Sequence, residues 1–158
     1  MRQCTIMLSE SMSVTVGLIT RDSASKVGEP VLRLIVHRVI EEVPVASIIV
    51  TDASVGSTVS VITGEASRHG VPVTVLKDDV GNRGYARWLT MREYLRLSHP
   101  GFFMFLDDDA VLRRGWWSAT VRLLKGGCRV VWGVNWSIDE AFLKWVSLLG
   151  ESPLGYLT

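Results

Sequence analysis

Phe102-Phe103-Met104-Phe105-Leu106-Asp107-Asp108-Asp109 takes an apolar, aromatic run directly into consecutive carboxylates. Such a run reads as a buried strand, where acids are expensive unless paired or bound to a metal. The acids therefore mark where the chain leaves the core at the strand's C-terminal end, the place where open α/β sheets build ligand sites. Two carboxylates one residue apart at such an edge can share a hard divalent cation, which keeps waters and takes phosphate oxygens. Taken alone, the triplet reads as a solvated acidic turn. The rest of the chain reverses that reading.

Strand and helix patterns alternate on both sides of it. Residues 14–20 are rich in β-branched side chains and read as a first strand. A polar turn, Arg21-Asp22-Ser23, leads to a helix with Val31, Ile35 and Val39 at helical spacing that stops before Pro44. Residues 45–51 form a second strand, and a helix follows to Arg68, ended by His69-Gly70. Residues 71–76 read as an edge strand, with Pro72 near its start. Gly81-Asn82-Arg83-Gly84 precedes a helix over 85–97, whose expected apolar face is Tyr85, Trp88, Leu89 and Leu95. After the acids come a helix over 115–125, a Gly126-Gly127 break, a fifth strand over 129–134 opened by a buried Cys128, and a last helix from Ser137. Four or five βα units predict a mostly parallel, right-handed crossover sheet with helices on both faces.

Composition agrees. The chain has 158 residues, one domain by size, and 47% of them are hydrophobic, which excludes disorder. The expected division is a loose lead-in over residues 1–12 and a single domain over 13–158. A net charge of +1 gives no global attraction for nucleic acid. Cys4 and Cys128 match no metal-ligand spacing, and no apolar run reaches the ~18 residues of a spanning helix, so a cytoplasmic setting is expected. His37, His69 and His99 fall on helices or at helix ends and read as no ligand set.

Each polar signal lies just past a strand: Arg21-Asp22, Asp52, Lys77-Asp78-Asp79 and the triplet. The first turn, Thr20-Arg21-Asp22-Ser23, carries neither G-x-G-x-x-G nor a Walker A loop. Without glycine-rich amides, pyrophosphate charge must be met by a metal, and the triplet is the evident holder.

At this point the residues resemble a family. Thr15-Val16-Gly17-Leu18-Ile19-Thr20-Arg21 resembles the first strand of family 2 glycosyltransferases of the GT-A fold, and Ile48-Ile49-Val50-Thr51-Asp52-Ala53-Ser54 is similar to their "IIVVDDGS" segment. Asn82-Arg83-Gly84-Tyr85-Ala86-Arg87 resembles their "N-x-G" helix start. Phe105-Leu106-Asp107-Asp108-Asp109-Ala110-Val111-Leu112-Arg113-Arg114-Gly115-Trp116 resembles their "FLDDDvvlxPgwl" block with its D-x-D signature. D-x-D alone is a weak signal, but these blocks stand in the family's order across roughly residues 14–135. The resemblance implies an α/β, Rossmann-like GT-A nucleotide-diphospho-sugar transferase fold. The implied activity is metal-dependent transfer of a sugar from a nucleoside-diphosphate donor, UDP-linked or GDP-linked, to an acceptor hydroxyl.

The same resemblance assigns roles. Asp52 would bind the nucleotide base, a loop Asp that caps the next helix being the lesser alternative. Asp107 would contact the ribose and share the metal, Asp109 would ligate Mg²⁺ or Mn²⁺, and Asp108 would support them. Thr20 and Asp22 lie where the first loop wraps the nucleotide, with an Asx turn the plainer reading of Asp22. Asn82 and Gly84 match a turn beside the donor, and Arg83 or Arg87 could reach a phosphate, a solvated helix face being the alternative. Trp116 and Trp117 divide between core and acceptor side, while Trp132, Trp136 and Trp145 default to core.

Family members take their general base from the half after the fifth strand, most of which this chain lacks. Asp139 and Glu140 are the candidates, against a plain helix-dipole role. A donor-binding module that works with a partner is therefore the competing reading. A nucleotidyltransferase would want a basic, glycine-rich first loop, and a receiver domain would want a later Thr/Ser and Lys. The last helix, with Phe142, Trp145, Leu148 and Leu149 near Lys144, could close the sheet, pair two copies as a homodimer, or lie on the inner face of a membrane. Acceptor and donor sugar are not legible.

Overall fold

The structure, a computed structural model, describes residues 12–98, 101–131 and 133. Its elements run β1 (Val14–Thr20), α1 (Ser23–Lys26), α2 (Glu29–Glu42), β2 (Val45–Asp52), α3 (Thr58–Arg68), β3 (Val73–Lys77), α4 (Arg83–Leu97), β4 (Phe102–Asp107) and α5 (Trp116–Lys125). The strands form one parallel sheet in the order β3-β2-β1-β4. The chain winds outward from β1 through β2 to β3, then crosses back to place β4 on the other side of β1. The β1/β4 seam is thus the switch point of the sheet, where α/β folds bind ligands.

Burial follows that order. Every residue of β1 except Ile19 is buried, and β2 is buried from Ser47 onward. On one face Val14, Val16, Leu18, Ile48 and Val50 pack with Leu32, Ile35, Val36 and Val39 of α2 and Val61, Ile62 and Ala66 of α3. Each such side chain contributes about 1.5–3 kcal/mol on burial. The other face meets α4 at close range. A Cβ on Gly17 would stand 2.8 Å from Thr90 Cγ2 and 2.7 Å from the Phe103 ring, so only glycine fits there. Thr90, fully buried, bonds Thr51 across this contact at 2.7 Å and donates to the Ala86 carbonyl at 2.8 Å.

Several expectations need correction. Val31 is 42% exposed, and the buried face of α2 is Leu32, Ile35, Val36 and Val39. On α4, Leu89 is buried with Ala86 and Thr90, while Tyr85, Trp88 and Leu95 are exposed. Small residues line the α4 contact because the helix rides close to Gly17; the aromatics are left outside, where Arg92 covers Trp88 at 4.5 Å. β4 has a neighbour on one side only among the described residues, so it is half-buried, with only Leu106 buried. Trp116 and Trp117 both pack, partly buried, against the core, and the Trp117 amide donates to Glu42 at 3.0 Å.

The chain divides into two compact units within α5, between Ser118 and Ala119. In the second, α5 ends at Gly126-Gly127, whose amides and that of Cys128 cap carbonyls at 122, 124 and 123. Gly127 has φ +96°, the left-handed form such a stop requires. Cys128 is exposed and opens no strand; residues 129–131 and 133 are irregular, because this cap turns the chain rather than extending it. Trp132, Trp136, Asp139, Glu140, Trp145 and the last helix lie outside the described residues, as does His99. No helix among the described residues is long and apolar enough to cross a membrane.

Candidate functional site

Register places the polar residues on one edge. Thr20 lies opposite Asp52, Asp52 opposite Lys77, and Ile19 opposite Asp107. All four strands therefore discharge their polar residues at the same C-terminal rim.

Asp52 is 5% exposed and anchors the rim internally. Its Oδ1 accepts from the Thr20 hydroxyl at 2.6 Å and from the Ser54 hydroxyl, while Oδ2 accepts from the Ser54 amide at 3.1 Å. Ser54 Oγ in turn accepts the Asp22 amide at 2.6 Å. Asp22 adopts a left-handed backbone, φ 55°. Its carboxylate accepts from the Val55 amide at 3.4 Å, a link between loops and not an Asx turn within its own. These bonds weld the loops after β1 and β2 together. A carboxylate accepts about four hydrogen bonds, and three of those of Asp52 are taken up by Thr20 and Ser54.

The loop after β3 is built similarly. Asp78, 5% exposed, accepts from the Val80 and Gly81 amides at 3.0 Å each, and its own amide bonds the Asp52 carbonyl at 2.9 Å. Asn82 then caps α4, accepting from the Gly84 amide at 2.9 Å and the Tyr85 amide at 3.1 Å. A Cβ on residue 84 would sit 3.2 Å from that capping oxygen, a tight contact that glycine avoids. Asn82 and Gly84 are thus the helix start, and they aim the next turn of α4 at the acids.

That turn carries Arg83 and Arg87, four residues apart on one helix face. Both line an open cleft of about 70 Å³ together with Ile19, Asp107, Asp108 and Asp109. Arg87 reaches Asp107 at 3.8 Å, each side chain about half exposed. Asp108 is held differently: the buried Ser23 hydroxyl donates to its Oδ2. Asp107 and Asp109 are exposed, and no hydrogen bond from a described residue occupies the Asp109 carboxylate.

The acids suit Mg²⁺ or Mn²⁺ on donor chemistry. Such ions take one or two carboxylates, with substrate phosphates and waters filling the remaining positions. The three acids do not converge into an all-protein cage, and they need not. The cleft is open and small. A nucleotide sugar would extend beyond it along the rim.

Thr20, Asp22 and Asp52 therefore form one hydrogen-bonded group through Ser54, while the acids line one cleft with Arg83 and Arg87. Ser23 bridges them through Asp108. Ser23 and Ser54 carry no role in the sequence reading, and Asp78, read there only as a strand-exit acid, turns inward; the D-x-S spacing of Asp52 and Ser54 is the available signal. Away from the rim, His37 and His69 meet at 3.1 Å beside Glu65, correcting the reading that the histidines assemble nothing. They come together because α2 and α3 pack side by side.

No protein-family model matches the sequence, and no curated protein matches it. Among solved structures it is similar to the crystal structure of TarS from S. aureus, a glycosyltransferase, with a TM-score of 0.54 and 17% sequence identity. The match covers 82% of this chain and 24% of that one, so the chain spans about a quarter of the length of TarS. The chain has a Rossmann-like α/β fold, a parallel sheet clothed by helices, which it shares with that glycosyltransferase.

Proposed function

We propose that the protein binds a nucleoside-diphosphate sugar at this rim and transfers its sugar to an acceptor hydroxyl. The observation that carries the reading is the cleft at the β1/β4 switch point, where two guanidiniums of α4 face three carboxylates. Carboxylates alone would repel a diphosphate and guanidiniums alone would not hold a cation. Together they suit a metal-bound diphosphate. The first turn of α4 contains no acid, so the positive end of its dipole adds to Arg83 and Arg87.

Asp109, with Asp107, would hold Mg²⁺ or Mn²⁺, which when bound neutralises charge on the departing diphosphate. Arg83 and Arg87 bind phosphate oxygens and orient the leaving group. Ser23 fixes Asp108, which keeps the acidic turn against the first loop. Asp52, locked by Thr20 and Ser54, offers its remaining acceptor direction to an N–H of the base, which favours uracil or guanine. Asp139 or Glu140 is the proposed general base. A family 2-like transferase is the specific form of this reading.

Donor binding without transfer is the second reading, favoured by the match to about a quarter of TarS, 24% of its length. Release of labelled sugar from UDP- and GDP-linked donors with Mn²⁺ tests both. Transfer or hydrolysis that disappears in Asp109→Ala supports the transferase. Saturable donor binding without release supports the module and overturns transfer, and the absence of any donor binding overturns both readings.

A further inference from the structure

We propose that His37, Glu65 and His69 form a site for one divalent transition-metal ion of the Zn²⁺ class, which staples α2 to α3. The site is separate from the acidic turn. Helices of βα units run back against their strands, so the C-terminal halves of α2 and α3 lie at the opposite end of the sheet from the rim.

His37 Nδ1 lies 3.1 Å from His69 Nε2, and each of these nitrogens lies 3.4 Å from Glu65 Oε1. A tetrahedral ion with bonds of about 2.0–2.1 Å places its ligand atoms about 3.3–3.4 Å apart. The three atoms thus outline one face of a coordination tetrahedron, and the fourth position falls to water. The rings are tilted at 54° and not stacked, so aromatic packing does not explain their approach.

Each ligand also has a partner that aims it. Glu65 is only 8% exposed at its side chain, and its second oxygen accepts from Arg68 at 2.9 Å, leaving Oε1 for the ion. The other ring nitrogen of His37 faces Glu41 at 3.3 Å, which favours the tautomer with its proton there and a lone pair at Nδ1. Both helices supply pairs at i,i+4 spacing, His37 with Glu41 and Glu65 with His69. His69 is the C-cap of α3, where the helix dipole favours a cation. Two imidazoles and one carboxylate suit zinc and its neighbours, whereas Mg²⁺ prefers oxygen alone.

The test uses full-length, untagged, chelator-stripped protein with Zn²⁺ and Co²⁺ as probes. The expected result is one equivalent of saturable Zn²⁺ binding, a raised Tm reversed by chelator, and an intense visible band with Co²⁺. Mg²⁺ should do none of these. His37→Gln and His69→Gln, both at part-exposed positions, should each abolish the Co²⁺ band. Glu41→Gln should weaken Zn²⁺ about 10–100-fold. An Asp107→Ala/Asp109→Ala variant should keep all three signals. The proposal is overturned if native protein shows no saturable binding, or if Zn²⁺ binds equally to both folded histidine variants.

Discussion

The Ser23 hydroxyl donates to the Asp108 carboxylate, joining residues 85 apart in sequence and tying the first loop to the acidic turn. One member of the triplet is thereby spent on architecture, and its neighbours on either side stay exposed. Within the D-x-D pattern the middle acid is bonded to the protein, and the outer two are exposed at the cleft.

Ser23→Ala removes this donor while leaving Asp108 half-buried. The expected cost is about 1–3 kcal/mol of stability, read by urea denaturation. Donor affinity should fall less than in Asp109→Ala, because the outer acids keep their places.

Thr20→Val deletes the hydroxyl that bonds Asp52 at 2.6 Å, with little change of shape. A buried carboxylate deprived of one donor should destabilise the fold by about 1–3 kcal/mol. Ser54→Ala should act on the same carboxylate, so the double variant should depart from additivity by about 0.5 kcal/mol or more.

Gly17→Ala drives a methyl into Thr90 Cγ2 and the Phe103 ring at 2.7–2.8 Å. Overpacking of this kind costs about 1–3 kcal/mol. Thr90→Ser, which removes the clashing methyl and keeps the hydroxyl bonded to Thr51, should recover part of it. Thermal unfolding of the two single variants and the double variant measures this.

Arg83→Ala and Arg87→Ala should leave stability within about 0.5 kcal/mol, since exposed ion pairs contribute little. Each should weaken binding of a nucleoside diphosphate about tenfold or more, the worth of one charge-assisted bond. Calorimetric titration with UDP and GDP in Mn²⁺ reads the difference.

Much of the fold was legible because its two central strands are largely apolar, are buried on both faces and are punctuated by polar turns. The strands at 14–20 and 45–51, the helix ending before Pro44 and the Asn82 start of α4 all follow from that pattern. Face assignment on α4 failed for a physical reason. Its buried side is chosen by the close approach to Gly17, which admits Ala86 and Thr90 and excludes Trp88, and no periodicity of large residues records that. The site was legible as strand-end acids. Which of them turn inward was not, because the partners, Ser23 for Asp108 and Ser54 for Asp52, are small hydroxyls ordinary in any loop. His37 and Glu65 meet across two helices, a contact that sequence spacing cannot express.

On the proposed function, Asp107 and Asp109 share a divalent ion with the donor diphosphate. Crystals soaked with Mn²⁺ and a UDP- or GDP-sugar, with data collected at the manganese edge, test it most directly. The expected result is an anomalous peak between those two carboxylates and the diphosphate, with Arg83 and Arg87 on the phosphate oxygens. No bound nucleotide, or manganese lying elsewhere while both aspartates face solvent, would contradict it.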